Sequence, residues 1–157
     1  MANTYSRVYL HFVFSVKGRE NLILEKNKEE LQKYITGIVN NRNQKMLSIN
    51  CMPDHTHLFI GFKPSISISE LIQEIKAISS KFINEKKWVY GKFQWQEGYG
   101  VFSYSHNQIN NVIEYINNQK EHHKRKSFKE EYLEILHKNE IKYDDRYLFD
   151  WIELGEI

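Results

Sequence analysis

With one cysteine, two prolines and seven glycines in 157 residues, the chain is poor in the residues that build disulfide scaffolds, proline-rich spacers and flexible linkers. The lone thiol, Cys51, cannot close an internal disulfide and fits a reducing compartment. No Ser/Gly-rich stretch and no internal repeat marks a boundary. Residues 1–157 are therefore expected to form a single domain, with a tail from about 127 that is peripheral. No stretch approaches the roughly 18 consecutive apolar residues of a membrane span. The start, Met1-Ala2-Asn3-Thr4, is polar and carries no signal-peptide pattern, so the expected location is cytoplasmic. Charge of one sign is lacking too: 22 basic residues against 20 acidic ones leave a net charge of +2, too small to point to any class of partner. What is present is 41% hydrophobic and 14% aromatic residues, enough to bury one core.

The most informative stretch is Pro53-Asp54-His55-Thr56-His57-Leu58-Phe59-Ile60-Gly61-Phe62. Side chains alternate along a strand, so His55 and His57 share one face while Thr56, Leu58, Ile60 and Phe62 share the other. Two imidazoles held side by side on a rigid strand suit a divalent metal, because neutral ring nitrogens are good ligands and the strand fixes their separation beforehand. The same spacing also occurs in ordinary half-buried strands. Pro53-Asp54 is turn chemistry, so the preceding strand, read over Lys45 to Met52, forms an antiparallel hairpin with the histidine strand.

Around this hairpin, Val8, Leu10, Phe12, Phe14 and Val16 alternate with a partly apolar set that includes His11, the pattern of a central strand covered on both faces. Leu31, Tyr34, Ile35, Ile38 and Val39 recur at helical spacing between about Glu25 and Asn41. A second helix is opened by Ser67 with Glu70 in capping-box spacing and carries Leu71, Ile72, Ile75, Ile78 and Phe82 to about Glu85. Phe93 to Gln96 and Gly100 to Tyr104 read as one or two further strands, and Ser105 with Gln108 caps a third helix. A short acidic and aromatic helix from about Phe128 to Leu136 and an irregular tail, Tyr143 to Phe149, follow.

The order strand, helix, strand, strand, helix, strand is that of a ferredoxin-like (RRM-like) α+β fold, an antiparallel sheet with two helices on one face. The histidines would face away from those helices, and the third, tyrosine-bearing helix is the available cover. Its stripe is Ile109, Val112, Ile113 and Ile116, with Tyr115 and Gln119 at the margin as i, i+4 neighbours. Such a tyrosine is also ordinary amphipathic packing, ring buried and hydroxyl wet. Beyond it, Lys120, Lys124, Arg125, Lys126 and Lys129 form a basic run, readable either as a solvated helix end or as a phosphate-binding edge.

Taken together, His55-Thr56-His57 and the downstream Tyr115-Ile-Asn-Asn-Gln119 resemble the HUH single-tyrosine transposases, the group of the smallest insertion-sequence transposases and their REP-associated relatives. The resemblance extends over Tyr9 to Lys17, Met52 to Leu58, Trp95 to Gly100, Tyr115 to His123 and Tyr143 to Tyr147. Thr56 stands where the family pattern usually has an apolar residue. The resemblance implies metal-dependent cutting and rejoining of single-stranded DNA with hairpin ends, through a 5′-phosphotyrosine. Carried over by position, Tyr115 would be the nucleophile and His55, His57 and Gln119 the ligands of Mg²⁺ or Mn²⁺. It also implies a homodimer. Lys76, Lys81, Lys124, Arg125 and Lys126 are the basic residues available for DNA phosphates, although Lys76 and Lys81 equally suit an ordinary solvent-facing helix surface. The alternatives are a domesticated single-stranded nucleic-acid-binding module without strand transfer, and a hydrolase using metal-bound water. A two-tyrosine replication initiator needs a second tyrosine one turn away, and positions 111 and 119 are Asn and Gln.

Overall fold

The hydrophobic pattern of the first strand decides the layering of the molecule, whose computed structural model describes residues 3–144 and residue 148. Strand β1 (Val8–Ser15) lies inside a four-stranded antiparallel sheet with β2 (Lys45–Cys51), β3 (His55–Phe62) and β4 (Gly100–Tyr104), in the order β2-β3-β1-β4. Leu10, Phe12 and Phe14 face helices α1 (Glu25–Asn41) and α2 (Ile68–Lys86) in the main core, together with Leu58, Ile60 and Phe62 of β3. This is the expected ferredoxin-like arrangement. The expected hairpin is present as well, closed by Met52 N–H donating to the His55 carbonyl at 2.7 Å.

Local chemistry sets the element ends. Ser67 accepts from the Glu70 N–H at 3.1 Å and starts α2, while Lys87 at φ 55° ends it. Asn43 at φ 60° turns the chain out of α1. Tyr34 of α1 stacks on Phe82 of α2, with ring centroids 3.8 Å apart. Thr56 is buried facing this layer, directly across from Cys51 in the β2–β3 register. Its hydroxyl faces the Cys51 thiol, whose ionisation burial pushes up to about 12 against the opposing pull of that hydroxyl.

Residues 93–96 make one bridge, Val16 to Trp95, and no strand. The Asn84 side chain explains this: its amide donates to the Phe93 carbonyl at 3.0 Å and its oxygen accepts from the Phe93 N–H at 2.7 Å, claiming both groups a ladder would use.

The second face of the sheet is covered by more than the third helix. Helix α3 (Ile109–Asn117) packs on β2 and β3, burying Val112 and Ile116 against Phe59. Its capping box, Ser105 with Gln108, is formed as expected, through a short 3-10 turn. Helix α5 (Phe128–Lys138) covers the other half, packing Phe128, Tyr132, Ile135 and Leu136 on Val13 and Phe102. The stretch from 127 read as peripheral therefore includes a buried structural layer. Of the expected irregular tail, Asp145, Arg146, Tyr147 and Phe149 lie outside the described residues.

The helix expected to run continuously from Tyr115 through Gln119 breaks at Asn118 (φ −95°, ψ 17°), and a short helix α4 (Gln119–His122) follows. Two polar side chains of β2 account for the break. Asn50 donates to the Ile116 carbonyl at 2.8 Å and Ser48 donates to the Asn117 side chain at 2.9 Å, so acceptors of the last turn are satisfied from the sheet.

Candidate active site

Four elements converge on the sheet face that α1 and α2 leave free. Strand β3 supplies His55 and His57, both buried and on the expected face. Helix α3 supplies Tyr115, half-buried, and α4 supplies the buried Gln119. Just after α4 comes His123, and α5 contributes the buried Glu131. Ligand atoms of His55, His57, His123 and Glu131 all lie within 4.8 Å of one another.

Glu131 is the hub. Its Oε1 lies 3.1 Å from His123 Nε2, 3.2 Å from His57 Nε2 and 3.8 Å from His55 Nε2. Its Oε2 accepts from the Tyr115 hydroxyl and, at 2.9 Å, from Gln119 Nε2. The Gln119 carbonyl oxygen lies 2.9 Å from His123 Nε2, so it faces the cluster as a neutral donor should. Both histidines of the strand pair are oriented from behind. Asp54 Oδ1 lies 2.7 Å from His55 Nδ1 and takes its N–H, which leaves the lone pair on Nε2; that buried Nε2 has no hydrogen-bond partner. His11 Nε2 lies 2.8 Å from His57 Nδ1. A His55 imidazole so oriented, its unpartnered nitrogen turned towards the ligand atoms of His57, His123 and Glu131, is what a metal site requires, and on that ground the residues present fit a divalent ion.

Burial shapes the charges. It pulls His55 down to about 4 despite the opposing Asp54 carboxylate, and lowers His11 as well, with the His57 charge adding to the effect. Burial pushes Glu131 upward, but hydrogen bonds from His123 and His57 outweigh it and hold the carboxyl below the usual range. The Tyr115 phenol is raised by burial and by the neighbouring Glu131 carboxylate, so it is protonated in this arrangement. A cleft of about 1280 Å³ lies elsewhere, between α2 and residues 92–99; the one of about 630 Å³ between α3 and α5 opens on Tyr115 and Glu131.

Residues 4–119 match the family model described as "Transposase IS200 like". The chain belongs to the IS200-like transposase family. Among curated relatives of this transposase, the ISDra2 transposase TnpA of Deinococcus radiodurans is 23% identical over 116 residues, covering 69% of this chain and 81% of that protein. The IS200 transposase of Salmonella typhimurium is 25% identical over 129 residues, covering 79% and 84%. Among solved structures, the crystal structure of "a putative transposase" from Deinococcus radiodurans superposes with a TM-score of 0.61 at 20% identity, covering 76% of this chain and 95% of that one. A REP-associated tyrosine transposase bound to a REP hairpin superposes with a TM-score of 0.59 at 15% identity, covering 78% and 73%. At these identities the structural likeness concerns the fold.

Sequence reasoning missed Glu131, His123 and the backing role of His11. Glu131 had a signal: it sits with Phe128, Tyr132 and Ile135 on the i, i+3, i+4, i+7 stripe of α5, a carboxylate where an apolar residue belongs. Among the basic residues expected at DNA, Lys76 is engaged inward, its ammonium donating to the carbonyls of Gln96, at 2.9 Å, and Gly98. Lys124 pairs with Glu121 at 2.9 Å and Lys126 with Glu134 at 2.6 Å, while Lys81 lies 4.0 Å from Glu85. Arg125 is exposed.

Proposed function

We propose that this transposase cuts and rejoins single-stranded DNA through a covalent tyrosine intermediate, with Tyr115 as nucleophile and His55, His57 and Gln119 holding a divalent ion. One observation carries the reading: a single chain brings the Tyr115 hydroxyl and the Gln119 amide to the same carboxylate that faces both histidines of the strand pair. A phenol and a candidate ion site so placed can address one phosphate. The Tyr115 oxygen forms a bond to phosphorus and the bond to the 3′ oxygen breaks, leaving a 5′-phosphotyrosine and a free 3′ hydroxyl. The covalent link conserves the phosphoester for rejoining without ATP. When bound, the ion supplies charge neutralisation at the phosphate oxygens. Two imidazoles and an amide favour Mn²⁺ over Mg²⁺.

The substrate is single-stranded DNA with hairpin ends, a reading supported by family membership and by the hairpin-bound fold relative. The cleft between α3 and α5 gives the strand a route to Tyr115. Exposed aromatics such as Tyr5 and Tyr90 are available for stacking on unpaired bases, and a homodimer is the proposed assembly.

The test is an adduct assay. Purified protein with Mn²⁺ and labelled hairpin-bearing single strands gives a covalent species that Tyr115→Phe abolishes; an adduct that survives the substitution removes Tyr115 from the role. Turnover without any adduct identifies hydrolysis instead, and strand binding without cleavage identifies a binding module.

A further inference from the structure

We propose that Glu131 is itself a ligand of the ion, through Oε1, while its Oε2 holds the Tyr115 phenol. This rests on the reading that His55 and His57 hold a metal. Glu131 lies beyond the family match, which ends at residue 119, and on the buried stripe of α5 beside Phe128, Tyr132 and Ile135. Solubility does not call for it, because Glu130 and Glu134 already make the outer face of α5 acidic.

Geometry separates a ligand from a merely satisfied buried acid. His55 gives its Nδ1 hydrogen to Asp54, so its Nε2 presents a lone pair, and that lone pair faces Glu131 Oε1 at 3.8 Å. Two electron-pair donors confronting each other in a buried pocket repel, unless a cation lies between them. Ligand atoms bound at roughly 2.0–2.2 Å to one ion stand roughly 3–4 Å apart, and the approaches of Oε1 to His57, His123 and His55 are 3.2, 3.1 and 3.8 Å. A carboxylate joined to imidazoles selects a transition ion such as Mn²⁺ over Mg²⁺.

The second oxygen ties this ion to the nucleophile. Because Oε2 accepts from Tyr115 while Oε1 faces the imidazoles, the positions of metal and phenol are linked by one rigid carboxylate. Glu131 is thus both a ligand and a positioning residue.

The experiment is titration of the full chain with Mn²⁺, without DNA, reading the free-ion signal by electron paramagnetic resonance. Wild type is compared with His57→Ala, Glu131→Gln and Tyr115→Phe, each checked for fold by circular dichroism in chelator. Glu131→Gln is expected to weaken Mn²⁺ binding at least tenfold, His57→Ala to abolish it, and Tyr115→Phe to change it less than threefold. Binding lost in His57→Ala but kept within threefold in Glu131→Gln overturns the proposal and leaves the strand-pair site standing. No Mn²⁺ binding by wild type overturns both. Should Glu131→Gln fail to fold, Glu131→Asp, which keeps the charge and withdraws it by one methylene, is judged by the same tenfold criterion.

Discussion

Replacing Phe128 by alanine tests how the site is held together. The Phe128 ring lies flat on the His55 imidazole, centroids 3.8 Å apart and planes within 5°, and is 3% exposed. It is also the first residue of α5, the helix that carries Glu131. A buried phenylalanine removes roughly 150–250 Å² from water, which at about 25 cal/mol per Å² gives an upper bound of about 4–6 kcal/mol. Part of that surface stays covered in the variant, and the polar cluster beneath lets water enter the gap. Phe128→Ala should therefore cost about 3 kcal/mol, the low end of buried Phe→Ala losses. Phe128→Leu, which keeps most of the volume, should cost about 1 kcal/mol. Urea unfolding in the presence of a chelator measures both. A loss below about 1 kcal/mol for the alanine variant would refute the argument, because α5 would then be docked by something other than this ring.

Four further outcomes follow from the packing. Gly100→Ala places a Cβ 2.7 Å from the Tyr132 hydroxyl and 2.9 Å from two Phe102 ring carbons, and should destabilise the fold by about 1–3 kcal/mol in the same assay. Cys51 is buried and its thiol pKa is raised to about 12, so at pH 8 it should resist a disulfide reagent until the protein is unfolded. The unfolded thiol ionises near 9 while the folded one does not, so its stabilising contribution is complete below pH 9 and is lost as pH rises towards 12; Cys51→Ala should flatten that limb of the stability curve. Lys76→Met should cost about 1–2 kcal/mol by freeing the carbonyls of Gln96 and Gly98, yet leave affinity for single-stranded DNA within twofold; a large affinity loss would return Lys76 to the DNA interface.

The sheet was legible because its residues obey local periodicities. Leu58, Ile60 and Phe62 face the helices for the same reason that His55 and His57 face away, a strand's period of two, and Ser67 and Ser105 cap helices as their spacing suggests. Of the one or two strands read over residues 93–96 and 100–104 only the second forms, because a strand's hydrophobic pattern does not reveal that the Asn84 side chain takes the Phe93 backbone. Nor does helical periodicity reveal that Asn50 and Ser48 would end α3 at Asn117, ahead of Gln119.

By itself the amino-acid sequence determined the strand that carries the two imidazoles, the face they occupy and the helix that bears the phenol, since each follows from repeats of two or 3.6 residues. Only the tertiary structure decided that Glu131, 74 residues beyond His57 along the chain, sits 3.2 Å from it. Pairing between distant segments depends on which surfaces remain uncovered after the core has formed, and no local repeat encodes that. The face left open by α1 and α2 had to be filled, and the helix that fills it brings a carboxylate to the histidines.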